Sequence, residues 1–66
     1  MAVAKILEIS SSSTSGTDDA VKAGIAKAAE TVQNITGAWV QDEQVVVENG
    51  QVTEWRVNLK ITFVLN

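Results

Sequence analysis

The chain has 66 residues, with five Lys or Arg against eight Asp or Glu for a formal charge of -3, and it contains neither cysteine nor histidine. Disulfides and the common zinc sites are therefore excluded, and the scattering of Lys5, Lys22, Lys27, Arg56 and Lys60 along the chain argues against a phosphate-backbone footprint and so against a nucleic-acid partner. A single domain over residues 1–66 buries only about 60% of its unfolded surface, while ordering it costs on the order of 100 kcal/mol; without disulfides or zinc, the expected source of extra burial is association into a homo-oligomer.

Val3 to Ile9 is rich in aliphatics, interrupted by Lys5 and Glu8, and gives way to the polar run Ser10-Ser11-Ser12-Ser13-Thr14-Ser15-Gly16. The pattern predicts a short strand followed by a loop whose serines join two elements and cap the second. No basic, apolar, small-residue leader is present and no apolar run approaches bilayer length. The expectation is a soluble, cytoplasmic protein with no membrane partner.

Ala20, Val21, Gly24, Ile25, Ala28, Val32 and Ile35 recur at spacings of three and four, with Asp19, Lys22, Lys27, Glu30 and Gln33 largely opposite. That spacing predicts one amphipathic helix. Ser13 or Ser15 is placed to cap its start, Asp18 and Asp19 suit the positive end of its dipole, and the small Gly24, Ala28 and Ala29 let it lie close to a sheet. Its end is expected near Asn34 to Gly37.

Ala38 to Val47 and Val52 to Leu65 are rich in β-branched and aromatic residues, and Asn49-Gly50 between them is a pair favoured in tight hairpins. In the second stretch Trp55, Val57, Leu59, Ile61, Phe63 and Leu65 hold the odd positions, and Glu54, Arg56, Asn58, Lys60 and Thr62 the even ones. The odd face is expected to pack on the helix.

The element order predicts an α+β protomer, β-α-β-β, whose one helix covers one face of a three-stranded antiparallel sheet. The other face is left bare. With Ala38 and Val40 turned to the helix, Gly37, Trp39, Gln41 and Glu43 point outward beside Arg56, Asn58 and Lys60. A half-polar surface carrying a large aromatic belongs to an interface, a ligand site, or both.

Read without a gap from Leu7 to Leu65, the chain resembles the dodecins, small flavin-binding proteins that assemble into hollow dodecamers. The resemblance is carried by the Ser/Thr run after the first strand, Asp19-Ala20-Val21, the Thr31 to Ile35 segment, Asn49-Gly50-Gln51-Val52 and the closing Trp55-Arg56-Val57-Asn58-Leu59-Lys60-Ile61-Thr62-Phe63. It implies a cage of twelve subunits in which two bare faces meet across a two-fold axis. There they hold a pair of stacked flavins, FMN or riboflavin, each against a tryptophan that opens strand two, with a strand-three glutamine bonding the ring edge. In this chain the tryptophan's position is Gly37 and the glutamine's position is Arg56. Trp39 lies one pleat further along the same face, about 7 Å away. In this the chain resembles a branch of the family that lacks the stacking tryptophan, and for which calcium rather than flavin has been described as the ligand.

The candidate ligand-binding residues are thus Gly37, Trp39, Gln41, Arg56 and Asn58. Trp39 is either a platform for a flat ligand or an interface residue filling the space that Gly37 vacates. Arg56 either binds an anion with its planar fork or pairs with Glu54 or Glu43. Asp18-Asp19 and Asp42-Glu43 are the tight acidic pairs, but neither has the spaced loop and central glycine of a calcium-binding hand. They read as dipole partners and a solvated strand face, though the axes of a cage bring copies of one carboxylate together. No recognised catalytic constellation is present and the serine run has no partner to activate it, so the expected function is non-enzymatic storage or sequestration of a flavin-type small molecule. The alternative is a structural or calcium-stabilised cage that binds no flavin.

Overall fold

The computed structural model describes residues 3–65, built as β1 (Val3–Ser13), α1 (Thr17–Ala29), β2 (Ile35–Glu48) and β3 (Gln51–Leu65). The strands form one antiparallel sheet in the order β1-β3-β2, the β-α-β-β arrangement that the sequence predicts. β3 is central, paired with β1 on one side and β2 on the other. Its Val57, Leu59 and Ile61 are fully buried, and they form the core with Ala20 and Ala28 of α1.

The helix reaches the sheet closely at Gly24. A Cβ placed there would lie 2.9 Å from the Cβ of Ser11 and 3.1 Å from Leu59 Cδ1, so only a glycine permits this approach. The hairpin is the predicted one: Asn49 and Gly50 both have positive φ, at 52° and 76°, as a two-residue turn between twisted strands requires.

Three boundaries differ from expectation. Ser10 to Ser13 are strand, not loop, and pair with Asn58 to Trp55. Their hydroxyls are compatible with either state, and the deciding influence is β3, which offers a full ladder of backbone partners. Serine is also required by size at Ser11, which faces the helix beside Gly24.

The cap of α1 is Gly16 rather than Ser13 or Ser15, and no side chain caps its amides. Gly16 has φ 154° and ψ 173°, a conformation that is essentially glycine's alone, and its carbonyl accepts the first helical bond from Ala20. Ser13 instead donates to Asp19 Oδ2 at 2.6 Å and accepts from the Ser15 amide at 2.9 Å, tying the end of β1 to the first turn of α1. Ser13→Ala is expected to cost about 1 kcal/mol in urea denaturation, the net value of a hydrogen bond with partial access to water.

The helix also stops at Ala29, short of the expected Asn34 to Gly37. The amides of Thr31 and Val32 both bond to the Ala28 carbonyl, and Glu30 bonds to Lys27, which tightens the last turn. Asn34, at φ 64°, then turns the chain, and its carbonyl accepts the Val64 amide at 3.1 Å. Val32 and Ile35 keep the helical spacing in sequence, yet they are half-buried through this turn and through β2.

The protomer is long, with extents of 51 × 19 × 13 Å. Its radius of gyration of 13.5 Å exceeds the about 11 Å of a compact chain of this length. The helix lies over β1 and β3 and hardly touches β2.

Candidate functional site

On the face away from the helix, the register stacks side chains in rows across the three strands. Ile6, Thr62 and Gly37 form one row; Glu8, Lys60 and Trp39 the next; Ser10, Asn58 and Asp42 the third; Ser12, Arg56 and Gln44 the fourth. Directly opposed residues of a ladder share a face. Gly37, Trp39, Arg56 and Asn58 therefore lie on the bare face as expected.

A register shift between Val40 and Asp42 corrects the expected surroundings of Gln41 and Glu43. Gln41 is the extra residue of a bulge, so the phase of β2 changes there. Asp42 and Gln44 come to the bare face, and Glu43 turns to the side of Val57. Glu43 is consequently not the partner of Arg56. That partner is Glu54, with Nη2 3.6 Å from Oε2.

The bulge builds a feature that alternation alone does not foretell. Asn58 Nδ2 donates to Asp42 Oδ1 at 2.5 Å, and Glu8, Ser10, Gln41, Asp42 and Asn58 line an open cleft of about 410 Å³. Beside it, Lys60 Nζ stands 5.9 Å from the centre of the Trp39 ring and 3.9 Å from Glu8 Oε1. Glu8 and Lys60 were not among the sequence candidates. Their signal was available in principle, as opposite charges that meet once β1 is laid antiparallel on β3.

Trp39 is 70% exposed, which leaves most of the indole free to meet another flat surface. At Gly37 an added Cβ would meet nothing within 4 Å. An open slot thus adjoins an exposed indole. Arg56 lies apart from both, four residues from Lys60 on β3 and so about 13 Å along the strand. The five candidates group as Trp39 with Gly37, Gln41 with Asn58, and Arg56 at the far end. Among the described residues no group of three or more acidic side chains is placed to hold a metal ion.

A dodecin family model matches residues 3–66. The chain belongs to the dodecin family. Among solved structures, dodecin from Streptomyces coelicolor superposes with a TM-score of 0.93 at 29% identity, over 98% of this chain and 93% of that one. Dodecin from Streptomyces davaonensis gives 0.92 at 28% identity, over 98% and 96%. A point variant of the Thermus thermophilus dodecin gives 0.94 at 26% identity, over 100% and 98%. Comparison with curated protein sequences returns no match. As a dodecin, the chain has the family's protomer fold over its whole described length.

Proposed function

We propose that this dodecin is a non-enzymatic subunit of a homo-oligomeric cage, twelve-membered in the family pattern, that binds and shields a flavin-type ligand, FMN or riboflavin, in an altered site on the bare face. The observation that carries the reading is the exposed Trp39 beside the open slot at Gly37. Stacking on an indole is worth about 0.5–1.5 kcal/mol beyond the apolar area that it covers. Gln41 and Asn58, at the neighbouring cleft, supply donors and acceptors for a ring edge. Holding the ligand between two such faces would limit its photochemistry, which suits storage better than turnover.

Lys60 favours a second reading. Its ammonium already sits near the face of Trp39, a cation–π contact that stabilises the indole without any ligand. On this reading Trp39 closes the space left at Gly37 and the cage is structural.

Titration of riboflavin and of FMN with the assembled protein, read by quenching of flavin emission, separates the two. Saturable quenching is expected, with affinity falling about threefold in Trp39→Ala, the equivalent of ~0.65 kcal/mol of lost stacking. Colourless protein that ignores both flavins while its assembly stays intact would leave only the structural cage.

A further inference from the structure

The tip of the β2-β3 hairpin places an electrophile beside a nucleophile. The side-chain amide carbon of Asn49, Cγ, lies within ring-closing reach of the backbone nitrogen of the next residue, Gly50. Both residues are exposed, and neither the Asn49 side chain nor the Gly50 amide has a hydrogen-bond partner among the described residues. A Cβ built at Gly50 would meet nothing within 4 Å, so neighbouring atoms do not crowd the approach to this nitrogen.

The other described asparagines lack this combination. Asn34 also has positive φ, but the branched side chain of Ile35 crowds the nitrogen that would attack. Asn58 precedes the fully buried Leu59, and its amide is engaged by Asp42. The fold also supplies the motion that ring closure needs. β1 ends at Ser13 opposite Trp55, so the hairpin beyond Trp55 has only two strands, and a two-stranded hairpin is marginal in water. Local opening at such an end costs far less than global unfolding.

We propose that Asn49 is a site of self-modification, losing its amide through a succinimide closed by the Gly50 nitrogen. That nitrogen bonds to Asn49 Cγ and the bond from Cγ to the side-chain nitrogen breaks, the departing group taking the proton from the Gly50 amide and leaving as ammonia. Nothing is oxidised or reduced. Water then opens the ring at one of its two carbonyls. Opening at Cγ restores the peptide and leaves aspartate; opening at the backbone carbonyl leaves isoaspartate, with the chain running through the side chain. Either product adds a negative charge beside Glu48 to a chain already at -3. Aspartate keeps the hairpin, since Asp-Gly suits the same turn. Isoaspartate inserts an extra backbone carbon between the paired Glu48 and Gln51 and so loosens the end of the ladder. The inference is independent of whether the bare face holds a flavin.

The test incubates the assembled protein in warm, mildly alkaline buffer and follows it by intact mass and by peptide mapping, with a sample unfolded in guanidinium chloride as the reference for the unrestrained chain. The expected result is a gain of about 1 Da, the exchange of an amide for a carboxylate, confined to the peptide that bears Asn49 and divided between two separable products. Asn49→Asp, which keeps the turn, should gain no mass there. Gly50→Ala should slow the gain on the order of tenfold, because a methyl group then shields the nitrogen that glycine leaves open. A gain in the unfolded sample with none in the assembled protein would mean that the hairpin holds the turn closed, and a gain first at Asn34 or Asn58 would mean that the wrong asparagine is named. A gain at Asn49 undiminished in Gly50→Ala would mean direct hydrolysis without the ring. Each of the three overturns the proposal.

Discussion

Gly37→Trp combined with Trp39→Glu is expected to tighten flavin binding about fourfold over the parent, since a well-placed aromatic stack contributes up to ~1.5 kcal/mol beyond area burial and replaces the ~0.65 kcal/mol of the displaced Trp39, where tenfold is 1.4 kcal/mol. The slot can receive the side chain, because an added Cβ at Gly37 meets nothing within 4 Å. Gly37 opposes Thr62 on the bare face, so a new indole would stand on the surface that carries Trp39. Removing Trp39 clears an aromatic about 7 Å from that height. The new carboxylate would face Lys60 directly across the ladder, where opposite charges contribute modestly. A quenching titration of the double variant, with assembly checked by native mass spectrometry, measures the gain. No gain in an intact assembly would mean that the flavin site does not lie over Gly37.

The site was legible in sequence wherever strict alternation holds. β3 is such a strand, and its even residues, Arg56, Asn58, Lys60 and Thr62, lie on the bare face with Gly37 and Trp39 as their period of two requires. Legibility ended at the Gln41 bulge. An extra residue in one strand has no signature in hydrophobic pattern, yet it reverses the facing of everything beyond it, and this moved Glu43 away from Arg56 and brought Asp42 to Asn58.

The helix shows the converse problem. Val32 and Ile35 continue its period, but the helix already closes in a tightened turn on the Ala28 carbonyl and the chain then changes direction at Asn34, and asparagine's tolerance of positive φ is a weaker signal than a glycine's. The serine run has the polarity of a loop, whereas its backbone pairs with β3 and Ser11 and Ser13 lie on the helix side of the sheet. The family resemblance supplied what none of these local signals contains, the expectation that two bare faces meet.

The contact between helix and sheet gives the other large effect. Leu59→Ala is expected to destabilise the protein by about 2–5 kcal/mol, because Leu59 is fully buried and the helix above it is tied at both ends and cannot collapse into the cavity. Gly24→Ala sets two opposing effects against each other. Alanine gains about 1 kcal/mol of helix propensity, while forcing a Cβ to 2.9 Å from Ser11 and 3.1 Å from Leu59 costs about 1–3 kcal/mol of overpacking. Overpacking wins, since the nearer atom is a Cβ fixed to the β1 backbone and not the free end of a side chain. Shortening Leu59 removes only one of the two contacts, so Gly24→Ala should remain destabilising in the Leu59→Ala background. In a Ser11→Gly background its cost should shrink by about 1 kcal/mol, the coupling expected of residues in direct contact. Urea denaturation at one fixed protein concentration is the appropriate measurement, because association stabilises the folded state by mass action. An equal cost in both backgrounds would place the limit on helix approach somewhere other than at Ser11.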